Sequence, residues 1–418
     1  TRTAWSPRWP TRSPACPPAP DLLRATLTLL AGGALAQALP LLLGPLLTRL
    51  YAPDDFGAFH LFAAVATNLA VVACGRYEFA LPLARGDGEA LALRRLCLRI
   101  LGLVAGLASL GGLGWAWWSG VTWALWLGPA VAVGGALSLA TMWATRAERF
   151  QSLAVARVLQ YGGAALAQAL AGWLHGGVVG LVIAPIAAQT LATLLLRGPA
   201  VAPATDTPPL RDIARRYQEF PLLNTPHAFL GALQDTVSLA LIAATLGPAA
   251  AGFWGLALRY LKAPATLVGS AVSQALYPQL AAKGPGPTRA ARAAVRRIMA
   301  VLGAAGLALV AVLWVLGPWA FERLFGAEWR QAGELSRTLA PYIGAHFVAA
   351  PLAVVTMAWG AQAWALRLAL WGQAAFVGAL ALGLHLDGLA GAGWGVSAAM
   401  AGYFGWYFWR LATWPVAD

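Results

Sequence analysis

The chain has 418 residues, of which 59% are hydrophobic and only 11% are charged. Soluble domains carry about twice that share of charge, so the composition excludes an ordinary soluble protein. The net charge of +13 is compatible with a nucleic-acid-binding protein, but the placement of the cations, described below, gives a different reason for it.

Twelve windows of about 20 mainly apolar residues follow one another along the chain, and each is long enough to cross ~30 Å of hydrocarbon as a helix. The windows are 25–47, 56–74, 99–118, 121–142, 153–172, 178–196, 222–245, 251–276, 298–317, 335–357, 365–385 and 389–409. Only Ser119 and Gly120 separate the third window from the fourth. The predicted fold is all-α: a polytopic membrane protein with about 12 transmembrane helices in two six-helix lobes.

Two polar segments divide the chain. Residues 1–20 are rich in proline and arginine and are expected either to form a disordered tail or to come from a misassigned start site. The apolar run that follows is too long for a cleavable signal peptide. The longest polar stretch, 198–219, predicts a cytoplasmic linker that becomes a short basic amphipathic helix. The predicted units are the tail 1–20, the N-lobe 21–197, the linker 198–221 and the C-lobe 222–418.

The cations are distributed unevenly between the two sides of the predicted membrane. Of the 29 lysines and arginines, 23 fall on or near the side of both termini, four on or near the other side, and two deep in window eight. Because cytoplasmic loops carry an excess of positive charge, both termini are predicted to be cytoplasmic. This pattern accounts for the net charge, so no nucleic-acid partner is expected.

The two halves contain a weak echo of each other. Pro53 is followed four residues later by Gly57 where windows one and two join, and Pro248 is followed by Gly252 where windows seven and eight join. This spacing favours a duplication with parallel repeats.

Two cations lie where lipid would penalise them. Lys262 is roughly 16 Å from the nearer end of window eight, which is too deep for snorkelling to the interface. Arg259 precedes it by three residues and shares a helical face with it and with Thr266, Ser270 and Ser273. These cations predict a hydrated cavity on the route of an anionic ligand.

Two titratable residues lie mid-span near these cations. Asp235 in window seven either neutralises Lys262 as a buried pair or binds a coupling proton or cation, and the sequence leaves both interpretations open. His346 in window ten is either a hydrogen-bonded core histidine or a proton relay or cargo contact.

No catalytic or metal-binding motif is found. The three cysteines, Cys16, Cys74 and Cys97, have no C-x-x-C spacing, so neither a zinc site nor a disulfide framework is predicted. Without a nucleophile motif or a nucleotide-binding loop, no enzyme activity and no cofactor are expected, apart from H⁺ or Na⁺ as a coupling ion.

Several segments resemble one family along nearly the whole chain. The segments are Ala36-Gln37-Ala38-Leu39-Pro40, Gly44-Pro45-Leu46-Leu47-Thr48-Arg49-Leu50-Tyr51-Ala52-Pro53-Asp54-Asp55-Phe56-Gly57, Arg76-Tyr77-Glu78-Phe79-Ala80-Leu81-Pro82, Gly247-Pro248, Ala251-Gly252, Leu324-Phe325-Gly326-Ala327-Glu328-Trp329 and Pro351. In this order they resemble the polysaccharide-export family, which includes the Wzx-type O-antigen flippases of the multidrug/oligosaccharidyl-lipid/polysaccharide superfamily. The tail before Asp21 departs from the family pattern.

The resemblance implies two six-helix lobes in a V-shaped transporter of the bacterial inner membrane. Such a protein moves an undecaprenyl-diphosphate-linked oligosaccharide from the cytoplasmic to the periplasmic leaflet, and polysaccharide polymerase machinery is a further expected partner. Arg259 and Lys262 are then the first expected cargo contacts, with Arg49 near the periplasmic rim and Arg76 near the cytoplasmic rim. Arg76 and Glu78 also fit a local interfacial pair, and Glu78 is a further candidate for ion coupling.

Three other functions were compared with this one. A peptidoglycan-precursor flippase has the same kind of cargo, whereas a drug or cation antiporter of the same superfamily would place a cation beside Arg259 and Lys262. A polytopic glycosyltransferase or polymerase would need a long outer loop, and the longest predicted one is 319–333. A lipid-linked oligosaccharide flippase fits the residues best.

The cation distribution gives a topology that can be tested. We expect a single cysteine at Ala327 to be labelled by an impermeant maleimide from the periplasm, and single cysteines in 198–219 to be labelled only after the membrane is opened. An externally labelled linker together with a protected position 327 would reverse the orientation.

Overall fold

A computed structural model describes residues 19–198, 207–281 and 288–416, and these residues form α-helices joined by short turns. Residues 1–18 of the predicted tail and 199–206 of the predicted linker lie outside the described part. The helices are α1 (Ala19–Leu50), α2 (Pro53–Val72), α3 (Asp87–Ser119), α4 (Leu127–Arg146), α5 (Phe150–Val158), α6 (Ala164–Trp173), α7 (Gly177–Leu195), α8 (Leu210–Arg216), α9 (Thr225–Leu246), α10 (Pro248–Leu261), α11 (Ala263–Ala281), α12 (Arg289–Phe325), α13 (Arg330–Ala358) and α14 (Gln362–Ala412).

The all-α, polytopic prediction is confirmed, since every apolar window lies on helix. Within the described ranges, eight helices are long and apolar enough to cross a membrane, with α14 counted as one. Windows five, eleven and twelve lie on interrupted helices. A π-turn (Leu159–Gly163) separates α5 from α6 within window five, and the last two windows share α14, which breaks at Asp387 and Gly388. The weak division at Ser119 is confirmed, because α3 ends there and Gly120 adopts a left-handed conformation with φ of 71°.

Window eight was expected to form one helix, but in the structure it forms two helices. α10 ends at Leu261, Lys262 forms its C-cap, and α11 begins at Ala263. Pro264 explains the break, because proline has no backbone N–H to donate and its ring clashes with the preceding turn. The helix is therefore interrupted at the deepest cation of the sequence.

The helices pack in two groups, which we call the N-terminal bundle (α1–α7) and the C-terminal bundle (α9–α14). In the N-terminal bundle, α4 packs on α2, α3 and α7 around buried Leu93, Leu101 and Val131. In the C-terminal bundle, α13 is central and packs on α10, α11, α12 and α14. Much of α13 is buried accordingly.

The bundles meet where the α1–α2, α9–α10 and α12–α13 connections lie together. A Cβ atom on Gly57 of α2 would overlap the backbone carbonyl of Pro248, and a Cβ atom on Gly252 of α10 would overlap the carbonyl of Pro53. The two Pro-x3-Gly segments of the sequence echo therefore contact each other reciprocally, as equivalent parts related by a two-fold axis would. Asp54 Oδ1 also accepts a hydrogen bond from the Ala249 N–H at 3.1 Å.

Aromatic side chains close the same end. Trp329 is fully buried, and its ring packs edge-on against Phe56 of α2 at 5.1 Å and Phe253 of α10 at 5.8 Å between centroids. Its indole N–H donates to the Thr48 carbonyl at 3.1 Å. This tryptophan thus joins α1, α2 and α10 in one dry cluster.

α1 and α10 are joined further along by one hydrogen bond. The Tyr260 hydroxyl donates to the Leu41 carbonyl at 2.7 Å. That carbonyl lacks its usual helical donor, because the residue four positions on is Pro45, which has no N–H. Gly44 provides the space, since a Cβ atom there would overlap the Tyr260 hydroxyl.

The predicted basic helix of the linker is α8, and it docks on the N-terminal bundle. Ile213 is buried there, and the Tyr77 hydroxyl donates to the Ala214 carbonyl at 3.1 Å. Arg216 Nη1 donates to Glu89 Oε1 at 2.7 Å, and this hydrogen bond raises the pKa of the Arg216 guanidinium. α8 therefore keeps its charged contact throughout the physiological pH range.

The helix crossing yields a stability prediction. Gly57→Ala should force α2 away from Pro248 at a cost on the order of 1–3 kcal/mol, as overpacking does. We expect a lower Tm and less disulfide formation between Asp54→Cys and Ala249→Cys. Gly102→Ala in α3, where a Cβ atom meets nothing within 4 Å, is the matched control and should change neither. Equal behaviour of the two alanine variants would contradict this account of the crossing.

Candidate functional site

A cavity of about 390 Å³ lies between the bundles, beyond the closed end described above. Its wall is formed by α2, α9 and α10, with Thr67, Asp235, Ser238, Arg259 and Lys262 as its main polar residues. Helix periodicity explains the wall on α10. The i, i+3, i+4, i+7 spacing puts four residues on one face: Gly255, Leu258, Arg259 and Lys262. The cavity therefore combines apolar walls with a few charged groups, as ligand sites do.

Arg259 has no counter-ion among the described residues. Its side chain retains part of its accessible surface because it faces the cavity, and no carboxylate lies within ion-pair distance. His60 of α2 lies within electrostatic range of Arg259, and its Nδ1 is buried without a hydrogen-bond partner. An anion at this wall would receive charge-assisted hydrogen bonds from the Arg259 guanidinium.

Lys262 has a different environment. Its ammonium lies 5.7 Å from the centre of the Tyr342 ring, and Asp235 is within electrostatic range across the cavity. As the C-cap of α10, it also lies at the partially negative end of that helix, which stabilises a cation. Lys262 is therefore held by several weak attractions, whereas Arg259 has none from a carboxylate in the described chain.

His346 belongs to the same neighbourhood. It lies one turn after Tyr342 on α13, with 5.8 Å between the ring centroids, and within electrostatic range of Lys262. The structure thus brings together the four mid-span residues that the sequence singled out. Arg259, Lys262 and Asp235 line the cavity, and His346 lies near Lys262 but lines a separate cavity.

The other predicted site residues lie outside this cavity. Arg49 is exposed in the last turn of α1, at the closed end. Arg76 lies beyond the opposite end of α2, with its guanidinium carbon 4.2 Å from the centre of the Phe79 ring. Glu78 is buried among α3, α4 and the 3-10 segment Tyr77–Leu83 of the N-terminal bundle. Arg49 and Arg76 remain candidates only for positions along a longer path.

Two residues of this neighbourhood, His60 on the cavity wall and Tyr342 beside Lys262, were not proposed as site residues from the sequence. His60 lies on a polar stripe with Thr67, seven residues apart and so on one face of α2, which is a usable signal. Tyr342 had no such signal, because its place beside Lys262 depends on the packing of α13 against α10.

The sequence matches the profile of a family described as polysaccharide biosynthesis protein over residues 121–334, slightly more than half of the chain. The chain belongs to this family. A comparison with curated proteins finds no match.

Solved structures share the fold of this polysaccharide biosynthesis protein. An inward-facing multidrug-resistance transporter of the MATE family, in the MOP superfamily, is similar with a TM-score of 0.70 and 16% identity, over 90% of this chain and 94% of that one. An outward-facing MATE transporter gives a TM-score of 0.58 and 15% identity, over 94% and 95%. The lipid II flippase MurJ in an inward closed conformation gives 0.64 and 9%, over 93% and 90%. At these identities the likeness shows a common fold.

The charged pair across the cavity yields a prediction that stability measurements can check. Asp235→Asn and Lys262→Gln should each lower the Tm, and the double variant should lose less than the sum, because the two charges attract each other. A coupling free energy of about 0.5–3 kcal/mol is expected.

The control cycle combines Asp235→Asn with Arg337→Gln. Arg337 lies in the N-terminal part of α13, where it contacts Glu334 at 3.3 Å, so the effects of Asp235→Asn and Arg337→Gln should be additive. Additivity in the Asp235–Lys262 cycle as well would show that the carboxylate does not stabilise the ammonium.

Proposed function

We propose that the protein moves an undecaprenyl-diphosphate-linked oligosaccharide, an O-antigen or other surface-polysaccharide repeat unit, from the cytoplasmic to the periplasmic leaflet by alternating access. The observation that carries the proposal is the excess of positive charge in the central cavity. Arg259 and Lys262 face it, and among the described residues that line it only Asp235 is acidic.

The chemistry of the cargo matches this excess. A diphosphate is multiply anionic and cannot cross ~30 Å of hydrocarbon unaided. Arg259 offers a planar guanidinium that can hold two phosphate oxygens at once, and Lys262 offers a point charge about one turn away. Binding the diphosphate would compensate the desolvation of both cations and of the cargo together.

The packing of the bundles supports alternating access. They join at one end through glycine and proline backbone, a few hydrogen bonds and the Trp329 cluster. Close contacts of this kind can separate as a unit, so that the cavity opens to the other side. With the orientation inferred from the cations, the closed end is periplasmic and the cavity described here is reached from the cytoplasm.

Asp235 and His346 are proposed as the groups that bind a coupling H⁺ or Na⁺. Both adjoin Lys262, so a change in their charge would alter the affinity of the cavity for an anion. Arg49 and Arg76 are proposed as later and earlier contacts at the two rims. Localisation in the bacterial inner membrane and contact with polymerase machinery are part of the same proposal.

Competing functions fit the cavity less well. A cationic drug would meet repulsion from Arg259, which has no carboxylate partner in the described chain. A lipid-linked peptidoglycan precursor carries the same diphosphate, so the sugars distinguish it. In the part of the chain that the structure describes, the α12–α13 connection is a single 3-10 turn, Ala327–Trp329, which leaves little room for a catalytic loop.

The proposal predicts the effect of removing each cation. In proteoliposomes containing a fluorescent undecaprenyl-diphosphate oligosaccharide, Arg259→Ala and Lys262→Ala should each slow transfer between leaflets by roughly tenfold or more, since a charge-assisted hydrogen bond contributes about 1.5–3 kcal/mol. Lys262→Arg should retain more activity than Lys262→Ala, because the charge remains. Protein content and Tm are measured on the same samples.

Arg330→Ala is the matched control, since Arg330 is exposed and pairs with Glu322 at 3.6 Å away from the cavity. It should transfer cargo at the wild-type rate. Normal transfer by the Arg259→Ala/Lys262→Ala double variant would rule out the cavity as the diphosphate route, and transport of an organic cation instead would favour an antiporter.

A further inference from the structure

A second polar cluster lies inside the N-terminal bundle, apart from the central cavity. Cys74, Glu78 and Cys97 are all buried, and one ligand atom from each lies within 4.8 Å of the other two. Both cysteines are free thiols. The spacing rules applied to the sequence do not detect this cluster, because Cys97 reaches it from a different helix.

The local backbone explains how the three side chains meet. α2 ends at Val72, and Gly75 and Arg76 both adopt left-handed conformations with φ of 60°. Two such residues in succession reverse the chain, so that the 3-10 segment Tyr77–Leu83 packs against α3 and α4. Cys74 precedes this reversal and Glu78 follows it, while Cys97 lies on the face of α3 that covers them.

The Glu78 carboxylate has an unmet requirement for a hydrogen-bond donor or a cation. The side chain is only 1% exposed, and its Oε2 atom has no hydrogen-bond partner, whereas Oε1 accepts a hydrogen bond from the Ser138 hydroxyl at 3.4 Å. A buried carboxylate oxygen without a partner is unfavourable, because it has lost its hydration without gaining a hydrogen bond. The two thiols offer only weak hydrogen bonds, so they do not meet this requirement.

A divalent cation would supply a partner for the unpaired Glu78 oxygen. Cysteine sulfur and carboxylate oxygen are both ligands that Zn²⁺ accepts, and the position is closed and buried. The charges also balance: two thiolates and a carboxylate are offset by Zn²⁺ together with the Arg76 guanidinium. Arg76 lies within electrostatic range of Glu78, and its Nε is buried without a hydrogen-bond partner.

We propose that Cys74, Glu78 and Cys97 form a structural site for a thiophilic divalent cation, Zn²⁺ by its ligand chemistry. The Ser138 hydroxyl or a water molecule completes the tetrahedron. The ion clamps the reversal after α2 to α3. Tyr77, next to Glu78, donates to the backbone of α8, so the site also braces the surface on which the linker helix docks.

Metal content of the full-length protein tests the site without any transport assay. Protein in detergent is equilibrated with buffered Zn²⁺, desalted and measured by elemental analysis. We expect about one zinc ion per chain in the wild type and in Cys16→Ser, the matched control, which leaves Cys74 and Cys97 as the only cysteines. The ion should be lost in Cys74→Ser/Cys97→Ser, and Glu78→Gln should weaken binding more than about tenfold.

A second measurement uses the wild type alone, so that it does not depend on the folding of the serine variants. Cys74 and Cys97 should be alkylated more slowly with Zn²⁺ present than after treatment with a strong chelator, as mass spectrometry of the peptides reports. Co²⁺ in place of Zn²⁺ should give sulfur-to-metal charge-transfer absorption.

Three results would overturn the proposal. They are equal zinc content in the wild type and the double serine variant, alkylation rates that do not respond to the chelator, and a Cys74–Cys97 disulfide in protein prepared without oxidant.

Discussion

The contact between α2 and α10, backbone against backbone, determines how the two walls that carry His60 and Arg259 meet at the central cavity. Gly57 and Gly252 let the two helices approach so closely that each touches the proline carbonyl of the other. His60 and Gly255 follow one turn later, where the histidine fills the space that a side chain on Gly255 would need. Arg259 comes one turn after that. The cavity begins where small residues give way to a histidine and a cation.

The helices and the deepest cations could be predicted from the sequence because both depend on local or averaged properties. Apolar windows detect helices whatever their neighbours are, and a charge in the middle of such a window is unfavourable on any lipid-facing surface. The break at Lys262 was predictable too, since Pro264 lies within the window, but an apolar window does not register an interruption of the helix. Hydropathy alone therefore predicted one helix where the structure has two.

The partners of these cations could not be predicted, because they are set by tertiary packing. Tyr342 and His346 come near Lys262 only because α13 packs on α10. The neighbours of Glu78 could not be predicted either. The sequence made it a candidate for ion coupling, and the packing places it near Cys74 and Cys97. Periodicity gives the face of a helix, and only the packing tells which face it meets.

The bond between Tyr260 and the Leu41 carbonyl has a mechanical consequence. Pro45 frees that carbonyl, and Tyr260 lies in the chain between Arg259 and Lys262, so α1 is tethered to the segment that carries both cations. Any rotation of α10 relative to α1 must release the tether and leave an unpaired carbonyl, at about 1–3 kcal/mol unless water reaches it. An energy of that size changes the ratio of two conformers by roughly tenfold or more. Pro45 therefore favours the conformer in which α1 is hydrogen-bonded to the helix that carries both cations.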